Sequence, residues 1–355
     1  MTTVINNWVL LSAYMLTFLI GLPANILALY AFIKKLVDRP TPTDILLLNL
    51  TASDIVFLLF LPLKMYEAGS YLQWHLPEIL CSITSFVFFT TIYTSSLLLM
   101  AVSVDRYLGV AFPIAYRKFR KGLYAIAGSA FIWVFSGFHC TIVFFVVHLG
   151  EKNRTRPKTT CYENFTSSQK EIVLPVRLEF FVVLCLVPML VCAFCYLNCI
   201  WILYTRPRIT KEKKQRAIGM ALGTLTVFLV CFLPYNISHL VGFVSNESPQ
   251  WRYYTLLLST FNTCLDPIIF YFSSSTYRNT TKVSFWKLLS FKHFKGRRGN
   301  KDPESNSQIS NIMDRDKSTD SGCTPSALTL TVQILRTEIS TKGSLAEHPD
   351  EACQT

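Results

Sequence analysis

Four nitrogen bases occupy stretches where charge is expensive. Arg177 interrupts the apolar run EIVLPVRLEFFVVLCLVPML, His239 lies in NISHLVGF, His139 in SGFHC, and Arg252 ends SPQWR. A guanidinium binds a carboxylate through two parallel hydrogen bonds, and an imidazole can add a third. Two of each in apolar surroundings suit a single planar anion. Pairing of Arg177 with Glu179, or snorkelling of its head to water, is the plainer use of such a residue; residues two apart on a helix point away from each other, which weakens that pairing. No reactive Ser or Cys block accompanies the histidines and no His/Cys spacing resembles a zinc site, so the residues speak for recognition and not for an enzyme.

The elements that must hold these bases follow from composition. Of 355 residues 51% are hydrophobic, Phe alone numbers 27, and charged residues make up only 16%. That is membrane-protein chemistry. Trp8 to Ile33 and Tyr124 to Gly150 contain no charged residue, and each is long enough for a hydrocarbon core of about 30 Å. Windows of about 19 residues give seven such segments, at 8–33, 44–66, 78–104, 124–148, 173–204, 217–242 and 253–274. Backbone amides cannot be left unpaired in lipid, so segments of this length without strand-like alternation predict an all-α seven-transmembrane helix bundle.

Lys and Arg in the connections number about 21 on one side and about 6 on the other, which makes the rich side cytoplasmic. The short N-terminus, residues 1–7, is then expected outside, with span 1 an uncleaved anchor in the plasma membrane. Sequons at Asn153, Asn164 and Asn246 fall on the external side and are expected to carry glycans. The formal charge of +12 is mostly this bias, with no nucleic-acid partner implied. Cys81, at the outer start of span 3, and Cys161, in the loop before span 5, share an oxidising compartment and are expected to form a disulfide. After residues 8–274, the stretch 275–301 interleaves Phe285, Trp286 and Leu289 with bases and predicts a short amphipathic eighth helix lying on membrane lipid. Residues 302–355 carry 15 Ser and Thr and no aromatic residue, the composition of a disordered cytoplasmic tail open to phosphorylation.

A channel, a transporter or a receptor would each fit so far. GLPANILAL with Asn25, LNLTASD with Asp54, SVDRYLGVAFP with Asp105, Arg106 and Tyr107, then Trp133, Pro188, CFLP and DPIIFY with Asp266 and Tyr271 occur one per span and in order. Together they resemble the rhodopsin-like (class A) G-protein-coupled receptors. Phe232 stands in CFLP where most of that family has Trp, and Asp266 begins DPIIFY in place of Asn. Both departures also occur in the free fatty acid receptors, and FLPLKMYEA, GVAFPIAYR, FHCTIV, CYENFT, IVLPVRLE, NISHLVGF and SPQWR resemble the short-chain members.

The resemblance implies roles residue by residue. Arg177, His239 and Arg252 would hold a ligand carboxylate, with His139 and Tyr235 nearby, and Glu163 would neutralise the arginines in the empty state. Phe89, a position where one short-chain type has tyrosine, would favour propionate or butyrate over acetate. Asn25, Asp54, Asn262 and Asp266 would form a sodium-ion and water cluster, since a mid-span acid costs about 2.5–3.5 kcal/mol without a partner. Asp105 and Arg106 would pair at rest and part on activation, with Tyr107, Tyr196 and Tyr271 completing a G-protein switch. Heterotrimeric G proteins of the Gi class, with Gq second, and arrestin on a phosphorylated tail would be the partners.

Depth agrees with the carboxylate reading: spans 5 and 7 begin outside with Arg177 and Arg252, and spans 4 and 6 end outside with His139 and His239. A ligand gains at most about 1.5 kcal/mol per non-hydrogen atom, so acetate is limited to about 6 kcal/mol, or dissociation constants near 10⁻⁴–10⁻⁵ M. Transport would call for repeated halves with broken helices, and a channel for a pore loop or ring of like charge; neither pattern occurs. A receptor of the same fold for another small anion, such as a hydroxy acid, nucleotide or longer fatty acid, is the competing expectation.

Overall fold

Seven helices long and apolar enough to cross a membrane run through the chain, in a computed structural model that describes residues 6–38, 40–119, 122–151, 161–162, 165–206, 210–274 and 277–281. We number them α1 (Asn7–Val37), α2 (Pro42–Gly69), α3 (Glu78–Ala111), α4 (Gly122–Val146), α5 (Ser167–Thr205), α6 (Lys211–Ser245) and α7 (Arg252–Ser273). No strand occurs among the described residues. Each expected segment is found, and most helices overrun it at one or both ends. Hydropathy marks only the lipid-crossing part, whereas a helix continues until something caps it. α2 starts at a capping box in which Thr41 and Asp44 bond each other's backbone, with Pro42 at the first helical position. α6 begins in the polar stretch Lys211 to Arg216, which hydropathy alone would discard.

Neighbouring spans pack side by side, α7 closes back on α1, and α3 is the most enclosed. Large apolar side chains such as Leu19, Phe131, Phe138, Phe145 and Phe194 point outwards, as expected where lipid rather than water is the solvent.

Proline bends decide how the spans interlock. A helical proline has no N–H and crowds the carbonyl one turn back, which then needs another donor. Pro188 frees the Leu184 carbonyl, and Ser96 Oγ of α3 donates to it at 2.8 Å. Pro267 frees that of Thr263, which accepts from Asn25 Nδ2 of α1 at 2.8 Å. Near Pro234 the Cys231 carbonyl accepts from Ser259 Oγ of α7 at 2.9 Å. Pro188 and Pro234 follow π-helical turns, Phe180–Leu186 and Val227–Phe232. Ser96→Ala leaves the Leu184 carbonyl without its α3 donor, an expected loss of about 1 kcal/mol. Thermal unfolding of the purified protein should then fall by roughly 2–4 °C; an unchanged midpoint would show that the bond is not stabilising.

Residues 277–281 are helical. Most of the expected amphipathic helix 275–301, the tail 302–355, and Asn153, Glu163 and Asn164 lie outside the described residues.

Candidate functional site

A capping box at Thr166 and Gln169 starts α5, and Gln169 Nε2 donates to the Val146 carbonyl at 2.6 Å, fixing α5 against α4. Val173 and Arg177 follow at four-residue steps on the same inward face, so Arg177 is 5% exposed although it carries charge. On α6 the inward stripe is Tyr235, His239 and Gly242. Arg252, the first residue of α7, is 3% exposed. These faces meet at the end of the bundle marked by the Cys81–Cys161 disulfide, which joins the first turn of α3 to the segment preceding α5.

Arg177, His239, Arg252 and Tyr235 line one small cavity, whose remaining walls include Phe89, Ile142, Val173 and Phe180. It has room for about one water molecule. Arg252 Nη2 donates to the Tyr235 hydroxyl at 2.9 Å, and its guanidinium lies 5.3 Å from that ring's centre. Arg177 Nη1 donates to Ser248 Oγ at 2.8 Å and its guanidinium faces the Phe165 ring at 5.1 Å. His239 is 2% exposed, with Nε2 3.2 Å from the Tyr93 hydroxyl and Nδ1 without a hydrogen-bond partner among the described residues. Planar donors at one end and an apolar wall at the other have the chemistry of a site for a small carboxylate with a short tail, and its side chains must move apart to admit one.

His139 does not belong to this cup. Its Nδ1 lies 2.8 Å from the Phe135 carbonyl and its Nε2 3.0 Å from Glu179 Oε1. The Phe180 ring has Tyr93 at 5.2 Å and His139 at 6.4 Å, so it stands between His139 and the cavity. Glu179, the acid that might have taken Arg177, instead faces His139. His139→Ala is therefore expected to move a carboxylate EC50 by less than about threefold. His239→Ala, which removes a lining nitrogen, should raise it by at least about tenfold; equal effects in a concentration-response assay would overturn the distinction.

Two aromatic lining residues escaped the sequence reading. Tyr93 lies one helical turn beyond Phe89, and that four-residue step was the available signal. Tyr162 adjoins Cys161 in a left-handed conformation (φ 53°), rare for a bulky side chain. Its ring sits between Phe89 at 5.5 Å and Phe165 at 5.1 Å. Burial pushes its phenol up to about 12 against the pull of Arg177 and Arg252, so it stays a neutral donor at physiological pH. A neighbouring hollow shares Arg252, Phe89 and Tyr162 and contains the buried Lys64–Glu67 pair at 2.8 Å. Their i,i+3 spacing was legible, but it lies at the edge of the second hydropathy window.

In the middle of the bundle Asn25, Asp54, Asn262 and Asp266 are all buried. Asn25 Nδ2 donates to Gly21 and Thr263, leaving its Oδ1 and all four carboxylate oxygens of Asp54 and Asp266 without hydrogen-bond partners among the described residues. Five buried oxygens of this kind fit a hard cation or water.

At the opposite end the expected Asp105–Arg106 pair is not formed. Asp105 accepts from Thr43 and from the Tyr116 hydroxyl at 2.5 Å. Arg106, rotated about 100° around α3, donates through Nη2 to the Ser273 carbonyl at 2.9 Å and to its hydroxyl at 3.0 Å. Arg106 and Tyr196 line a wide cavity there, and Tyr196 bonds Thr224 at 3.2 Å. Tyr107 packs edge-on against Phe194. Tyr271 is 40% exposed and faces away from the bundle; the preceding Phe270 takes the inward place, against Phe32 and Tyr277.

The model of the 7 transmembrane receptor (rhodopsin family) matches residues 24–270. Free fatty acid receptor 3 of Mus musculus is 46% identical over 285 residues, 80% of this chain and 88% of the relative. Free fatty acid receptor 2 of Rattus norvegicus is 48% identical over 277 residues, 77% of this chain and 84% of the relative. Free fatty acid receptor 1 of Macaca fascicularis is 31% identical over 268 residues, 72% of this chain and 88% of the relative. With seven membrane-crossing helices and a family match covering most of its length, this multi-pass plasma-membrane protein is a receptor and not an enzyme, and it belongs to the rhodopsin family of seven-transmembrane receptors.

Proposed function

We propose that the chain is a receptor for short-chain carboxylates, acetate, propionate and butyrate, whose binding is transmitted to heterotrimeric G proteins. The observation that carries this reading is the convergence of Arg177, His239 and Arg252 on one small cavity with an apolar wall. The names of the relatives, free fatty acid receptors 2 and 3, support the ligand class. A cup that must widen to admit any acid favours two to four carbons over long chains, and Phe89 in the wall favours propionate and butyrate.

The disulfide end faces outside, as the Lys and Arg bias supports, and Asn246 at the exposed end of α6 carries a glycan. A carboxylate accepting from Arg177 on α5 and Arg252 on α7, beside His239 on α6, draws three spans together. Two of these pass through π turns on their way to the cavity of Arg106 and Tyr196, where a G protein of the Gi class, with Gq second, engages. Release of Arg106 from Ser273 belongs to that step, and arrestin follows on the phosphorylated tail. A sodium ion suits Asn25, Asp54 and Asp266, where it would balance buried charge in the resting state; their orphaned oxygens support it.

Concentration-response series for acetate, propionate, butyrate, lactate and decanoate in cells expressing the chain test the reading. Responses to the two- to four-carbon acids at sub-millimolar to millimolar levels are expected. Silence towards all three in a receptor present at the surface would move the function to another anion.

A further inference from the structure

Two glycines let α7 lie on the backbone of α6 at the end of the bundle that holds Arg106. Gly219 and Gly223 are one turn apart on α6, and small residues at that spacing let helices approach closely in a membrane. A Cβ placed on Gly219 would sit 2.6 Å from Cδ1 and Cε1 of Phe272 and 2.8 Å from its Cγ. Carbon atoms prefer separations of about 3.5–4.0 Å, so no side chain fits there as the helices stand. At Gly223 the added atom would meet Ile269 Cγ1 at 3.1 Å, a smaller intrusion. Turning the Phe272 ring about its own axis does not relieve the first clash, because Cγ lies on that axis.

The bonds on either side of this contact decide which part of α6 can yield. Nearer the cup, Ser259 Oγ of α7 donates at 2.9 Å to the Cys231 carbonyl, inside the π turn Val227–Phe232, and ties the two helices there. Towards the Arg106 end come the glycine seats and Ser273 Oγ, which donates to Met220 Sδ at 3.3 Å and accepts from Arg106 Nη2 at 3.0 Å. Arg106, Met220, Phe272 and Ser273 all line the wide cavity of that end. Helices bend at π turns, so the segment Lys211–Thr226 can swing while Ser259 holds the turn beyond it. Such a swing away from α7 widens the cavity.

We propose that the seating of Phe272 on Gly219 is an autoinhibitory contact: it holds α6 against α7 and makes the size of residue 219 the setting of ligand-independent signalling. The proposal rests on the Arg106 cavity being where a G protein engages, as proposed above, and is independent of which anion fills the cup. A Cβ at position 219 penalises the closed arrangement and leaves an open one untouched, so it shifts the balance between them towards the open. Glycine to alanine inside a helix otherwise adds stability, so the shift does not come from a weakened α6.

The test reads uptake of a non-hydrolysable GTP analogue by G proteins in membranes of cells expressing the chain, without added acid and with surface receptor quantified. Gly219→Ala is expected to raise this basal uptake three- to tenfold, and Phe272→Ala, which takes the ring from its seat, to raise it as well. The double variant should add nothing to Phe272→Ala, because the ring that the new Cβ would strike is gone. Gly128→Ala on α4, where a Cβ would meet nothing within 4 Å, should stay within twofold of wild type. Basal uptake at or below the wild-type level in Gly219→Ala, an additive double variant, or an equal rise in Gly128→Ala overturns the proposal. If Gly219→Ala does not reach the surface, Phe272→Ala decides alone, and an unraised basal level overturns it. Acetate, propionate and butyrate run alongside separate the two readings. A wild type silent to all three, with basal uptake raised in Gly219→Ala, overturns the carboxylate reading and leaves the contact standing. A responding wild type with unraised variants overturns the contact alone.

Discussion

Arg252→Ala is expected to abolish the response to acetate, propionate and butyrate with surface receptor intact, and Arg177→Ala to do the same. Hydrogen bonds to a charged group are worth about 1.5–3 kcal/mol, so losing one arginine raises a dissociation constant by roughly 10- to 150-fold. From a limiting value near 10⁻⁴–10⁻⁵ M, that moves the constant to roughly 10⁻⁴–10⁻² M. Arg252→Ala should be the more severe, because it also strips the Tyr235 hydroxyl of its donor and opens the wall shared by the cup and the hollow that contains Lys64 and Glu67. Arg252→Lys keeps the charge without the planar fork and should fall between alanine and wild type. An Arg252→Ala receptor signalling within threefold of wild type would remove this residue from the carboxylate site.

Cys161→Ala should be nearly as damaging by a different route. The Cys81–Cys161 bridge closes 80 residues of chain, and loss of such a link costs about 2–5 kcal/mol. Tyr162 follows immediately, held at φ 53° with its ring between Phe89 and Phe165. Without the bridge that strained residue is left to its ring contacts, and the roof of the cup loosens. Thermal unfolding should fall by roughly 5–15 °C, with propionate EC50 raised at least tenfold. Cys81→Ala should match it, and the double variant should add nothing, since both changes remove one bond. An additive double variant would mean that the two cysteines act separately.

The spans were legible because lipid leaves the backbone no alternative to helices of a set length. Depth was legible too: alternating direction puts Arg177, His239 and Arg252 at one end, and all three line the cup. Azimuth was not. His139 has a suitable depth but the wrong face of α4, where Glu179 meets it. Tyr271 is one residue, about 100°, past the inward position that Phe270 holds. Asp105 and Arg106, adjacent in sequence, point to different neighbours for the same reason. Each π turn shifts the register between the halves of α5 and α6, so no single ideal periodicity carries from Arg177 to Tyr196 or from Met220 to His239. The contact of Ser248 with Arg177 was invisible, because only the folded turn brings the two together.

The narrowness of the cup has a consequence in time. Dissociation constants no tighter than about 10⁻⁴–10⁻⁵ M, combined with association at about 10⁶ M⁻¹s⁻¹, give residence times of at most roughly 10–100 ms. A receptor with such brief occupancy stores no memory of past exposure in its binding site. Its signal would follow the surrounding acid concentration moment by moment, and any lasting response would have to be held by the machinery downstream.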